Sequence, residues 1–392
     1  MGMGRREFIE RDASAQILEV TGMYPVVTLC GPRQSGKTTL ARHLFPAYDY
    51  VSLEDPDERM AFEHDPRGFL QQHAAPCIFD EVQNTPELTS YLQGMVDKED
   101  RPGMYILTGS RQMELQETIT QSLAGRSGMV DLLPLSQHEL QKSGRVQSRD
   151  EKLFYGGLPR VHAQKLKPAR AYMDYLRTYV ERDVRRIINV RNVSAFETFI
   201  RLLASRVGQI VNYSSLAGDV GVSATTIKEW ISLLEASYIV FPLHPYYKNY
   251  GKRLIKSPKI YFTETGLVTA LLGIKSEEMV GRDPLIGSIY ENYVISEFLK
   301  NRLNKGFSPD LYFFRDSNGF EIDLILESWR VPRPIEIKSA YTYNPDMCKN
   351  LRMFTELVPE SKSPTLIYAG KSMGVQRGVN VLTDDDIHSL VE

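Results

Sequence analysis

At 392 residues the chain is longer than one ordinary core, and a prior of about 150 residues per domain predicts two or three domains. Hydrophobic residues at 42% and charged residues at 24% exclude extended disorder, and a net charge of -2 excludes a chain-wide nucleic-acid footprint, so any such binding must come from local patches. Cys30, Cys77 and Cys348 are too few for a disulfide framework and fit no zinc spacing; with no apolar run of about 18 residues and no charged-then-apolar leader, the sequence predicts no membrane span and a cytoplasmic protein.

Phe8 to Val20 carries apolar residues at helical spacing and leads through Gly22 and Pro25 into the apolar strand Val26 to Cys30. That strand runs into Gly31-Pro32-Arg33-Gln34-Ser35-Gly36-Lys37-Thr38-Thr39-Leu40, where a helix resumes. A second strand, Cys77 to Phe79, ends in Asp80-Glu81, and a third, Met104 to Leu107, ends in Thr108-Gly109-Ser110. Strands alternating with helices and ending in polar residues predict a parallel sheet with its ligand edge at the strands' carboxyl ends.

Gly31 to Thr38 fits G-x-x-x-x-G-K-[ST] between a strand and a helix, the context this phosphate-binding loop requires. Its glycines let backbone N–H groups turn toward phosphates, Lys37 sets a point charge beside them, and Thr38 offers a hydroxyl to Mg²⁺. Residues Gly31 to Thr39 are the expected ATP contacts. Asp80 and Glu81, two carboxylates delivered by an apolar strand, read as the Mg²⁺-side ligand and the water-orienting base.

From Ser136 to Arg191 the pattern is helical, broken by Gly156-Gly157-Leu158-Pro159, and predicts a small lid and connector; the arginines between Arg177 and Arg191 are offset by Glu181 and Asp183 and read as a charged helix face. Arg160, next in that glycine-proline run, is a weaker candidate for a lid residue touching phosphate. Phe196 to Pro242 predicts three short helices, the last from Ala224 to Ala236 with Ser223 as N-cap after the turn at Gly221. This helix-turn-helix texture is followed by Tyr246 to Lys259, where Lys248, Lys252, Arg253, Lys256 and Lys259 occur without one acidic residue among tyrosines. The stretch is the best candidate wing for DNA, while Lys228 beside Glu229 argues against base reading by the preceding helix. Helix Ile289 to Asn301, strands around Leu311 to Arg315, Glu321 to Glu327 and Pro334 to Ser339, a helix, and strand Thr365 to Ala369 complete a small α/β unit.

The runs from Gly31 to Leu40 and Ile78 to Gln83, with Leu-Thr-Gly-Ser and Leu-Ala-Gly-Arg followed by Leu-Pro-Leu-Ser, resemble prokaryotic AAA-type P-loop ATPases with a C-terminal DUF4143 domain. The resemblance implies that Ser110 senses the γ-phosphate and that Arg126 acts as an arginine finger on a neighbour's ATP, hence a homo-oligomeric ring. Glu291, Asp323, Glu336 and Lys338, in a helix-strand-strand order, resemble the PD-(D/E)XK nuclease core, which implies Mg²⁺ on the three carboxylates and a lysine assisting the attacking water.

The expected fold is therefore α/β: a P-loop core at 1–135 with a parallel sheet, a helical lid and connector at 136–192, a winged helix-turn-helix at 193–262, and a nuclease-like α/β domain at 263–392. The expected function is Mg²⁺-dependent ATP hydrolysis driving translocation or remodelling of DNA, including branched or Holliday-junction DNA, with a C-terminal domain that cuts or grips it. An ATP-controlled protein-protein switch with a non-catalytic C-terminal assembly domain is the alternative.

Overall fold

The computed structural model describes residues 8–99, 101–110, 122–179, 193–246 and 257–391, and the elements numbered here are those of the described residues. Strands β1 (Val26–Cys30), β2 (Asp49–Ser52), β3 (Cys77–Asp80), β4 (Tyr105–Gly109) and β5 (Ser127–Asp131) form an all-parallel sheet in the order β2-β3-β4-β1-β5. β1, β3 and β4 are buried along their whole length, as continuous apolar strands of a parallel sheet are when helices cover both faces. Alternate residues serve the two faces: Val26 and Cys30 pack with Leu88 and Leu92, while Val27 and Leu29 pack with Ile17 and Leu40. The covering helices are α1 (Ser14–Thr21), α2 (Lys37–Leu44), α3 (Pro56–His64), α4 (Pro66–Gln72) and α5 (Leu88–Glu99). The helix expected from Phe8 starts only at Ser14; the preceding residues form an arm whose Ile9 packs against Leu135 and Leu140.

The expected helical stretch after Ser136 contains α6 (Gln137–Lys142), α7 (Arg149–Tyr155), α8 (Pro159–Ala163) and α9 (Pro168–Tyr179). Ser136 and Ser148 open α6 and α7 through reciprocal capping boxes with Glu139 and Glu151. Next come α10 (Val193–Ser205), α11 (Tyr213–Val220) and α12 (Ala224–Ala236), with Ser223 capping α12 through the N–H of Thr226, and then the antiparallel pair β6 (Val240–Pro245) and β7 (Lys259–Phe262). Gly221 adopts φ 78°, the left-handed helix stop that glycine takes without strain.

The remaining elements are α13 (Thr265–Leu271), α14 (Glu277–Val280), α15 (Ile286–Asn304), β8 (Leu311–Arg315), β9 (Glu321–Ser328), β10 (Val331–Lys338), α16 (Lys349–Leu357), β11 (Thr365–Tyr368), β12 (Gly374–Gln376), β13 (Val379–Leu382) and α17 (Ile387–Leu390). The second sheet runs β12-β13-β11-β10-β9-β8-β6-β7, antiparallel through β8-β9-β10 and parallel from β10 to β11. The expected order of helix, three strands, helix and strand is present from α15 to β11. β6 pairs β7 and also runs parallel to β8, so the expected boundary at 262/263 falls within one sheet. α15 is buried on nearly every side, and its Glu297 and Lys300 reach the N–H of Gln137 and the carbonyl of Leu135 beside the first sheet. No described helix is long and apolar enough to cross a membrane.

Candidate active site

Because β4 lies between β1 and β3, the loop after β1, the carboxylates after β3 and Ser110 after β4 emerge side by side at the carboxyl edge of the sheet. The loop winds tightly. Gln34 and Gly36 take φ of 61° and 95°, and a Cβ on Gly31 would collide with the carbonyl oxygen of Leu132. Lys37 is buried and donates to the carbonyl oxygens of Gly31 at 2.9 Å and Pro32 at 2.8 Å, acceptors with which the oxygens of an incoming phosphate would compete for its ammonium. Burial holds the Lys37 pKa below its ordinary value, with Glu81 opposing, so an incoming polyanion meets a cation with little water to displace.

Thr38 Oγ1 donates to Asp80 at 2.8 Å, and Asp80 also accepts from Tyr50 at 3.0 Å and from Thr108. The Thr38 hydroxyl and the Asp80 carboxylate are hard oxygen donors in contact, a pair that fits Mg²⁺, which would neutralise phosphate charge there. Glu81 stands in the left-handed region at φ 59°, a strained backbone that turns its side chain toward the neighbouring strand. Ser110 Oγ donates to Glu81 Oε2 at 3.2 Å, and the Gln83 amide donates both to Glu81 and, at 3.3 Å, to Ser110. Glu81, Gln83 and Ser110 thus form one polar cluster beside the Asp80–Thr38 pair, a carboxylate acceptor held by two donors where a water would be oriented. Sequence reasoning assigned no role to Gln83, Tyr50 or Thr108; Gln83 was within reach because it closes the acidic strand's motif, whereas Tyr50 acts from a strand the sequence did not reveal. Arg126 pairs with Asp97 of its own chain, Nη2 to Oδ2 at 3.1 Å, with 34% of its side chain exposed.

The glycine-proline run sits against this site without placing Arg160 in it. Gly157 N–H donates to Glu264 at 2.9 Å, and a Cβ on Gly156 would occupy the place of the Glu264 carboxylate. Pro159 approaches within 3.8 Å of where a Gly36 side chain would begin, while Arg160 is exposed and bonded to Gln164 at 3.1 Å.

The C-terminal candidates converge on the second sheet. Asp323 accepts from Ile337 N–H at 2.8 Å, and Lys338 donates to Glu336 at 2.7 Å and to Asp323 at 3.4 Å. Burial first, and the Asp323 charge second, push the Glu336 carboxyl up to about 8, and its Oε1 has no hydrogen-bond partner. Glu291 instead meets Lys259 at 3.2 Å and Tyr261, and Lys259 also reaches Glu321 at 2.5 Å. Against the cost of burial, these carboxylates hold Lys259 above its ordinary value. Lys259 therefore belongs to a buried ion network, a correction to its expected place on a phosphate-holding wing, and Tyr246 is likewise buried. Residues 247–256 of that stretch, like Arg182, Arg185, Arg186 and Arg191, lie outside the described residues.

Among the described residues, only Asp12, His138 and His388 bring three such ligand atoms within 4.8 Å of one another, so Glu291, Asp323 and Glu336 do not form that close a triplet. The imidazoles of His138 and His388 stack at 3.5 Å with planes 9° apart, so their in-plane lone pairs lie in two separate, nearly parallel planes, a poor geometry for aiming both at one ion.

An AAA domain family matches residues 23–141, a domain of unknown function, DUF8612, matches 146–278, and a second, DUF4143, matches 286–383. These matches bear out an AAA-type P-loop ATPase with a DUF4143 unit in its C-terminal part. The chain is 31% identical over 347 residues to the uncharacterized proteins Rv2008c of Mycobacterium tuberculosis and Mb2031c of Mycobacterium bovis, spanning 87% of this chain and 76% of each relative. Among solved structures, it is similar to the Walker-type ATPase PABY2304 of Pyrococcus abyssi at 15% identity, covering 68% of this chain and 97% of that one with a TM-score of 0.45.

Proposed function

The chain belongs to the same family as the mycobacterial proteins Rv2008c and Mb2031c, and on the side-chain chemistry of its second sheet we propose that this AAA-type ATPase acts on DNA through a nuclease-like C-terminal unit. The observation that carries the reading is the meeting of Asp323, Glu336 and Lys338 at the ends of paired strands, with Glu291 in the adjoining ion network. A buried carboxylate with a partnerless oxygen beside an ammonium has the chemistry to hold a divalent cation and assist attack by water on a phosphodiester. The helices α10 to α12 followed by the β6–β7 pair support a winged-helix reading of the middle region, and a ring that carries Arg126 to a neighbour's nucleotide completes the proposal. Branched DNA such as a four-way junction is the proposed substrate, since one chain would both move strands and cut or grip them.

ATP hydrolysis measured with duplex, single-stranded and four-way-junction DNA at low salt, with Lys37→Ala as the blank, tests the DNA reading. Stimulation by one DNA, together with Mg²⁺-dependent cleavage lost in Asp323→Ala and Lys338→Ala at unchanged ATPase, is the expected result. Turnover indifferent to every DNA, with no cleavage, rejects it. A nucleotide-controlled protein switch is favoured by a different observation: Lys152 is clamped to Asp384 and Asp385 at 2.5 Å each, and Gln137 N–H to Glu297 at 2.7 Å, so nucleotide-driven movement would reach the C-terminal unit directly.

A further inference from the structure

Arg11 lies outside every motif of the ATPase, yet it is buried to 6% exposure and spends its guanidinium on three acceptors. Nε donates to Glu139 at 3.0 Å, Nη1 to the carbonyl of Ser35 at 2.8 Å and Nη2 to the carbonyl of Leu133 at 2.7 Å. Glu139 is itself fixed by the N–H groups of Asp12 at 2.7 Å and Ser136 at 2.8 Å. The guanidinium plane is thereby set by a charged partner anchored at both ends.

The contact with Ser35 has a specific consequence. A trans peptide unit is planar, and its C=O and N–H point to opposite sides. Holding the Ser35 carbonyl outward, toward Arg11, turns the Gly36 N–H inward, into the concavity formed by the left-handed residues Gln34 and Gly36, where the anion would sit. We infer that Arg11 is a positioning residue for the ATPase, fixing the P-loop in its phosphate-binding form before nucleotide arrives. It touches no reacting atom and acts through the loop backbone. Such preorganisation strengthens ground-state binding and leaves the chemical step nearly unchanged.

The inference rests on the ATPase assignment, and ADP binding by the full chain separates the two: no ADP binding by the wild type defeats the assignment, whereas binding unaffected by Arg11 defeats only the inference. Two variants divide loop positioning from fold support. In Arg11→Lys the single ammonium is expected to keep the charged contact with Glu139, preserving the fold and leaving the Ser35 carbonyl without its donor. The dissociation constant for ADP and the KM for ATP should rise about tenfold with kcat within about twofold. Glu139→Gln loses the charge and one acceptor and should lower the melting temperature, while its remaining amide oxygen on the Arg11 and Asp12 side keeps the guanidinium in place, so the Ser35 contact survives and the ADP constant stays close to wild type.

Wild-type ADP affinity in folded Arg11→Lys, or losses of affinity that track losses of melting temperature across both variants, overturns the inference. Hydrogen exchange on the wild type gives a reading that depends on no variant. ADP should slow exchange in residues 8–13 together with the P-loop, and protection of the loop alone counts against Arg11.

Discussion

Glu336→Gln is the substitution whose outcome the C-terminal network dictates most directly. Two carboxylates, Glu336 and Asp323, share the Lys338 ammonium, and Glu336 Oε1 faces no donor. Ionising both leaves one uncompensated negative charge in a buried place, which is why the Glu336 carboxyl is pushed up to about 8 from an ordinary 4.5. A carboxyl raised in the folded state contributes stability fully present below the unfolded value and lost as pH climbs through the folded one, so the cost accumulates between 4.5 and about 8. At about 1.4 kcal/mol per pH unit the loss is bounded near 5 kcal/mol, and because water and side chains rearrange around the ionised carboxylate we expect roughly 2 kcal/mol. Glutamine keeps the shape, accepts from Lys338 and cannot ionise. The variant should match wild type at pH 5, exceed it by about 2 kcal/mol at pH 8.5 in EDTA, and lose this advantage when Mg²⁺ is added, as only the glutamate can trade its proton for a cation. Urea unfolding read by a thiol-labelling pulse at Cys348, which is buried in the same unit, follows this region specifically. Equal pH dependence in wild type and variant would refute the reasoning.

Lys37→Ala and Asp80→Asn should each lower ATP turnover by about 100-fold or more in protein that still folds, since one removes the phosphate's cation and the other the negative charge beside Thr38 that a Mg²⁺ ion would need. Lys259→Met takes the cation from Glu291 and leaves Glu321 only its pair with Arg315 at 2.9 Å, and should destabilise the C-terminal unit by about 3 kcal/mol, measured in urea. The same variant should leave the salt dependence of any DNA binding unaltered, whereas a lysine on phosphate would reduce that slope by about one. Burial, with His138 stacked on it, pulls His388 down to about 4, so the stability it confers is complete above 6.5 and lost as pH falls toward 4. Thermal melting of wild type should therefore weaken across that window more steeply than that of His388→Asn, and equal slopes would argue against the stack as the pH-sensitive element.

The ATPase site was legible because its requirements are local: a glycine-bounded loop between strand and helix, and two carboxylates ending an apolar strand. β1 and α12 appear at their expected bounds for the same reason, since an apolar run and a Ser223 cap after Gly221 are written in adjacent residues. What escaped notice depends on contacts remote in sequence. Arg11 meets Glu139 across 128 positions, and Gly156-Gly157 reads as a break in the helical pattern until Glu264 is seen in the place of a Gly156 side chain and the Leu135 carbonyl in that of Gly157. Lys259 misled for the converse reason. Its neighbours in sequence are basic and aromatic, but β7 lies on the edge of the second sheet against α15, where the neighbours in space are acidic.

Both sites meet the same helix. α15 carries Glu291 into the ion network of the second sheet and, about 9 Å further along its axis at 1.5 Å per residue, Glu297 onto the N–H of Gln137, which opens α6. Two positions later α6 supplies Glu139, the partner of Arg11 beneath the P-loop. Glu297 is itself buried and neutralised by Lys300 at 2.8 Å, so the link is a fixed charge pair on a rigid element rather than a surface contact. A shift of α6 on nucleotide binding would thus bear on α15 at once, and α15 holds one wall of the C-terminal network. In wild type, ADP should slow hydrogen exchange in the β9–β10 hairpin as well as in the P-loop. In Glu297→Gln, which weakens the grip on Gln137 and leaves Lys300 without its charge partner, loop protection should persist while hairpin protection fades. An ADP effect on the hairpin that survives Glu297→Gln would route the coupling elsewhere, and no effect in wild type would make the two sites thermodynamically independent.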